Sequence, residues 1–346
     1  MAKLALQNNC LPEYSLVNFV YPKRDRVFNT IDHSNYDFDP SYGYSLTQLL
    51  EVESTDAPVD FFSFWQNKYQ NALNIPAKPV LTDTGLTLHR QRIFEVTYQS
   101  TDSIKIGGWL TLPESGRVER GFIVGHGYGG RDFADTHLPF ENSAYLFLCC
   151  RGISKSAGKP FSSNPAFHVL HDIDKKDDYI LAGCVEDTWL AVSCLLRLFP
   201  ELSGHIGYLG ISFSGGIGAL ALTCESRIQK AHFNVPSFGQ NELRMQLKTT
   251  GSANAVQQYA KNHPQVLTTL SYYDAAIAAQ YIKIPVHVAA ALYDPVVAPP
   301  GQFAIYNSLI NEKSLFILEA GHAQYSAQKV QEKTLLNQLN QFFHDL

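Results

Sequence analysis

The chain holds 346 residues, with 27 Lys and Arg against 32 Asp and Glu and a formal net charge of −5. Such a length buries a sizeable core, and the slight acidic excess leaves nothing to neutralise nucleic-acid phosphates or hold an anionic membrane surface. No run reaches the roughly 20 apolar residues of a membrane span, and the opening "MAKLALQNNCLPEYSL" lacks the continuous apolar core of an export signal, so a cytoplasmic protein is expected.

The first ninety residues are rich in Tyr, Phe, Asn and Asp, and residues 1–60 read as an N-terminal extension packed on a main domain of residues 61–346. "VDFFSFWQNKYQNAL" predicts a helix at the junction. From about residue 90, apolar runs alternate with helical patterns, the signature of a sheet built from crossover units. "RIFEVTYQS" and "IKIGGWLTLP" read as short β segments, followed by "GFIVGHG", "AYLFLCC" and "HIGYLGIS" as buried parallel strands. Between the last two, residues 155–182 carry no strand pattern and read as an insertion, of a length that usually serves function or an interface. Val185, Trp189, Val192, Leu195, Leu196 and Phe199 recur at three- and four-residue steps, predicting a helix over 183–199 that Pro200 closes. "IPVHVAAALYD" and "SLFILEAGH" are two further strands, and "QKVQEKTLLNQLNQFFHDL" predicts a C-terminal amphipathic helix. The fold class is therefore α/β, a mostly parallel central sheet flanked by helices.

The six cysteines (Cys10, Cys149, Cys150, Cys184, Cys194 and Cys224) include a pair inside an apolar run, and they read as reduced, buried thiols. No CxxC pair or Cys/His cluster has zinc spacing. "HDIDKKDD" at 171–178 lacks the glycine and terminal glutamate of a calcium loop. Neither metal nor organic cofactor is expected.

The chemistry concentrates at strand ends. "GISFSGG" follows a strand and opens a glycine-rich helix, which is how an α/β-hydrolase exposes a nucleophilic serine on a tight turn. Ser212 and Ser214 each fall one residue short of the full Gly-x-Ser-x-Gly pattern. The apolar run ends at Ile211, which favours Ser212; the plain alternative is a helix cap beside a glycine packing seam. A serine needs a histidine base and an orienting acid, in the order Ser, Asp, His for this fold. Asp294 in "LYDPVV" and His322 in "LEAGH" stand at the ends of the two late strands. Asp274 and His344, both on helical patterns, are the weaker candidates, and Asp294 also reads as a plain Asp-Pro turn. The oxyanion donors expected in this fold are the backbone N–H groups of Phe213, after the nucleophile, and Tyr128, in the loop "VGHGYGGR".

Those residues resemble carbohydrate esterase family seven, the acetyl xylan esterase and cephalosporin-C deacetylase group, from about Asp60 onward. "VDFFSFWQ" is similar to the family's "FDxFW", "HGYGGR" to its "GYNGGR", "RGIS" to its Arg-Gly-Gln, and "GISFSGG" to its Gly-x-Ser-Gln-Gly-Gly. "LYDPVVAPPGQFAIYNSL" is similar to the run through its catalytic aspartate, and His322 matches the His of its His-Glu pair. The resemblance implies a Ser212, Asp294 and His322 triad and Tyr128 and Phe213 as oxyanion donors. Arg151, Ser214 and Pro236 read as pocket or supporting residues, with Arg151 reading equally as a surface arginine after a strand. The resemblance also implies hydrolysis of small acyl esters, acetyl above all, from carbohydrates or related compounds, and assembly into a homo-hexamer through the insertion. Ile153, Phe213 and Ala323 replace three polar family residues, and an aromatic ring at 213 predicts a more apolar pocket beside the nucleophile. The other readings are a triad hydrolase acting on peptides, thioesters or non-sugar esters, and a hydrolase fold that only binds.

Overall fold

The computed structural model describes residues 36–346. Cys10 and most of the predicted extension lie outside the described residues. Nine strands form one sheet: β1 (Val80–Leu88), β2 (Gln91–Gln99), β3 (Lys105–Pro113), β4 (Arg120–Val124), β5 (Ser143–Leu148), β6 (Ile206–Ile211), β7 (Lys230–Asn234), β8 (Val286–Ala291) and β9 (Lys313–Leu318). Their order is β1-β2-β3-β5-β4-β6-β7-β8-β9. Pairing is antiparallel from β1 to β5 and parallel from β5 to β9. The parallel part starts at β4, steps to β5 on one side and returns to β6 on the other. Such a reversal opens a crevice at the carboxyl ends of the strands, where α/β sheets bind ligands.

Strands β4, β5 and β6 are buried almost throughout, as their unbroken apolar runs require when helices cover both faces of a sheet. The apolar-run reading missed two strands. β1, "VLTDTGLTL", is an edge strand that stays largely exposed and so carries Thr, Asp and Gly. β7, "KAHFN", is only five residues long and buries His232 and Asn234.

The long helix spans Ile180–Leu198, starting three residues before its predicted position, and its buried face runs unbroken from Ile180 to Val192. Trp189 on it meets Trp65 of the helix Phe61–Leu73 edge to face, with centroids 6.1 Å apart. Its indole donates to the Ala221 carbonyl at 2.9 Å, pinning this helix to the one that follows β6. The C-terminal helix, Gln328–Phe342, buries Leu335 and Leu339.

The described part of the N-terminal stretch packs on the loops around β8. The Asp294 N–H donates to the Pro40 carbonyl at 3.0 Å, and Asn307 donates to the carbonyls of Leu49 and Val52. Residues 155–182 hold no strand and contain the short helix Pro165–His168, burying His168, Val169 and Ile173. In the acidic run, Lys175 pairs with Asp172 at 2.9 Å and Lys176 with Asp60 at 3.4 Å. Among the described residues, no group of three or more His, Cys, Asp or Glu is placed to hold a metal ion, and no helix is long and apolar enough to cross a membrane. The five described cysteines are free thiols.

Candidate active site

Ser212 is the first residue past β6, with φ 51° and ψ −109°. That conformation costs a residue with a side chain about 1–3 kcal/mol, and the surrounding glycines hold it in place. A Cβ on Gly210 would collide with the Ser214 carbonyl, and one on Gly216 with the Ser237 carbonyl. The helix Phe213–Leu222 starts at once.

His322 follows β9 and is also left-handed, with φ 46°. Its Nε2 lies 2.9 Å from Ser212 Oγ, and its Nδ1 lies 2.7 Å from Asp294 Oδ2. With Nδ1–H donating to the carboxylate, Nε2 is left to accept the serine proton; this tautomer follows from the bonding partners. All three side chains are buried. The Asp294 carboxylate does both jobs read from the sequence. Oδ1 accepts from the N–H groups of Val296 and Val297 at 2.9 Å each, closing the Asp-Pro turn, while Oδ2 faces the imidazole. Gln302 also donates to Oδ2 at 2.9 Å and accepts from the Ala291 N–H, tying the acid to β8. A Cβ on Gly321 would strike Oδ2, so the residue before His322 must be glycine for the acid to reach the base.

Asp274, the weaker acid candidate, caps the helix Ala275–Ala279 and accepts from the backbone N–H groups of Ala276, Gln240 and Asn241. His344 lies beyond the C-terminal helix. Ser214 sits in the first turn of the elbow helix. Its Oγ accepts from the His126 N–H at 2.9 Å, and its N–H donates to the His126 carbonyl at 3.2 Å. Ser214 therefore stitches the loop after β4 to the elbow.

That loop carries the expected second oxyanion donor. As the first helical residue, Phe213 has no intrahelical acceptor for its N–H, and among the described residues the Tyr128 N–H has no backbone acceptor. The loop is rigidified by groups the sequence reading did not single out. His126 places Nδ1 2.7 Å from the Gly127 carbonyl and accepts from the Cys150 N–H at Nε2. Burial pulls its pKa down to about 3, so it stays neutral. The Tyr128 hydroxyl lies 3.1 Å from His168 Nδ1, and His168 Nε2 lies 2.9 Å from the Arg151 carbonyl. The carbonyl requires the hydrogen on Nε2, so the phenol donates to Nδ1. Burial lowers the His168 pKa as well. Only its position in the insertion, next to a strand-end loop, could have flagged His168 in the sequence.

Behind this loop Arg151 grips Asp187 with two guanidinium nitrogens, Nη2 to Oδ1 at 2.8 Å and Nε to Oδ2 at 3.1 Å. Asp187 also accepts from the Arg151 N–H and the Ser100 hydroxyl. The neighbouring Glu186 stands 3.8 Å away. Burial alone would lower the arginine's pKa, but the Asp187 charge raises it on balance.

A cleft of about 420 Å³ opens at Ser212, lined among others by Tyr128, Phe238, Arg244, Thr249 and Val297. Arg151, Ser214 and Pro236 do not line it. Arg151 is consumed by Asp187, Ser214 by His126, and Pro236 packs against Gly215. All three support the site from behind. The ring of Phe213 is also outside the cleft lining. It is fully buried, stacked on Tyr128 at 4.3 Å and parallel to His126 at 5.8 Å. The predicted apolar influence of this ring on the pocket is therefore corrected: it packs against the loop after β4 instead. Ile153 is buried and Ala323 packs near Tyr293 and Tyr325.

The sequence model of the family described as Acetyl xylan esterase (AXE1) matches residues 42–341. Among solved structures, the chain is similar to the acetyl xylan esterase from Paenibacillus sp. R4, with a TM-score of 0.75 and 21% identity over 85% of this chain and 99% of that one. Acetyl xylan esterase 1 from Thermoanaerobacterium sp. JW/SL YS485 follows at 0.73 and 18%, covering 87% of this chain and 99% of its own. A Pyrococcus horikoshii acylaminoacyl peptidase shares the fold more distantly, at 0.56 and 15% over 74% of this chain and 41% of the peptidase. With a family match spanning nearly all the described residues, the chain belongs to the acetyl xylan esterase family and is a carboxylic ester hydrolase of the α/β-hydrolase fold.

Proposed function

We propose that the enzyme removes acetyl groups from carbohydrates or related compounds such as cephalosporin C, through an acyl-enzyme on Ser212. Ser212 Oγ attacks the ester carbonyl while His322 Nε2 takes its proton. Asp294 holds the imidazole and stabilises its cationic form. The carbonyl electrons move onto the oxygen, which the N–H groups of Phe213 and Tyr128 receive. Collapse expels the alcohol, protonated by His322. Water, deprotonated by the same imidazole, then releases the acid and restores the serine. The reading is carried by the continuous bonding from Asp294 through His322 to Ser212 at the floor of the cleft. Assembly into a homo-oligomer through residues 155–182 is part of the proposal, and a monomer in sedimentation would remove it.

The test is hydrolysis of p-nitrophenyl acetate and butyrate by the wild type, Ser212→Ala and Ser214→Ala. Acetate is expected to be preferred, and Ser212→Ala to lose about four orders of magnitude or more in kcat. Ser214→Ala is expected to keep most of the turnover. An active Ser212→Ala enzyme would overturn the assignment.

A further inference from the structure

Among the described residues that line the cleft, Arg244 carries the single charged side chain. It ends the short helix Asn241–Arg244, and its Nη1 donates to Asn241 Oδ1 at 3.1 Å. Its guanidinium carbon lies 5.1 Å from the centre of the Phe238 ring. Among the described residues no carboxylate comes within ion-pair distance of it, and Nε and Nη2 have no partner. Arg151 shows what that same edge does when occupied, since its Nε and Nη2 hold the two oxygens of Asp187. Burial pulls the Arg244 pKa down, with the phenols of Tyr179 and Tyr128 and the Asp274 carboxyl acting the other way. Asp274 is already engaged by backbone N–H groups. A partly desolvated cation without a counter-ion costs stability that a bound anion would offset.

The size of the cleft says which part of the ester meets this cation. At about 420 Å³ it falls within the range of pockets that enclose a whole small molecule, far more than a two-carbon acyl group fills. The remaining space belongs to the alcohol. Asn164, Ser237, Thr249 and Thr250 also line it and offer hydrogen bonds of the kind hydroxyl-rich alcohols use.

We propose that Arg244 is a specificity residue of the Ser212 cleft and that the alcohol part of the substrate carries a carboxylate, held by the free Nε and Nη2 edge. The planar fork of an arginine matches the two oxygens of a carboxylate and adds orientation as well as attraction. This deepens the esterase reading and rests on it.

The experiment compares 4-acetoxybenzoate with its neutral isostere 4-acetoxybenzamide on the wild type, Arg244→Met and Arg244→Lys. The wild type is expected to show the higher kcat/KM on the benzoate. The benzoate-to-benzamide ratio should fall about tenfold or more in Arg244→Met, as expected for one charge-assisted contact, and less in Arg244→Lys. Because the ratio cancels any loss common to both esters, a general packing defect would not move it. An unchanged ratio in Arg244→Met overturns the proposal while leaving the esterase reading intact. So does a loss seen only with phenyl hemisuccinate, whose charge is on the acyl side. A wild type inert towards all these esters and p-nitrophenyl acetate overturns both.

Discussion

Two arginines flank the active site and are treated in opposite ways. Arg151, behind the oxyanion loop, has its guanidinium edge filled by a buried aspartate that itself accepts from a serine hydroxyl and a backbone N–H. Arg244, in the cleft, keeps the equivalent edge empty. A closed network spends every donor on the fold, so losing a member shows up as stability. An open site holds donors in reserve, so losing one shows up in what the enzyme accepts.

The sharpest way to break this contrast is to empty the closed side. Asp187→Ala leaves the buried Arg151 cation only the exposed Asp102 carboxylate at 3.1 Å and Glu186 at 3.8 Å, and is expected to cost about 3 kcal/mol, read as a lower urea midpoint. Unchanged stability would show that Arg151 is as free as Arg244. His168→Phe tests the link between the two regions, because it cuts both the Tyr128 hydroxyl and the Arg151 carbonyl from the insertion. Losing an oxyanion donor outright costs about 10²–10³ in kcat. Loosening Tyr128 should cost a part of that, about tenfold, in kcat rather than KM. An effect on KM alone would argue against the positioning role.

A further effect comes from acid. His232 and His287 face each other on β7 and β8, with Nδ1 atoms 3.1 Å apart. Burial holds the His287 pKa down at about 4, with a Gln338 hydrogen bond opposing it, and burial and His287 together hold His232 well below the ordinary range. In the unfolded chain both take up a proton near the ordinary 6.5. The contribution of both is therefore complete above about pH 6.5 and declines as pH falls below it, that of His287 being lost towards 4. Urea midpoints at pH 7 and pH 5 should show this decline, and His287→Gln should shrink it. An unchanged decline would mean that this closed region tolerates charge.

The three side chains that meet at the cleft, Ser212, His322 and Asp294, were legible in the sequence because each stands at a strand end and carries a local signal. Ser212 follows the last apolar residue of β6, Asp294 precedes a proline after β8, and His322 follows a glycine after β9. Gly321 shows why such signals are local, since the space the acid needs is provided by the residue beside the base. The strands β1 and β7 escaped because one is exposed and the other is short and partly polar, so neither prints an apolar run. His126, His168 and Gln302 escaped because their partners lie well away in the chain or are backbone groups, and a side chain's spacing carries no trace of a carbonyl it will meet after folding.

The sequence by itself determined the α/β class, the order of the parallel strands' chemistry and the residues that end them, because burial pattern and turn chemistry act over a few neighbouring positions. Tertiary structure alone decided which polar residues are spent and which are held open. Ser214, Arg151 and Pro236 look in sequence like pocket residues, and packing assigns each to a partner behind the site. Arg244 carries no motif at all, and only the fold brings it to the cleft at Ser212.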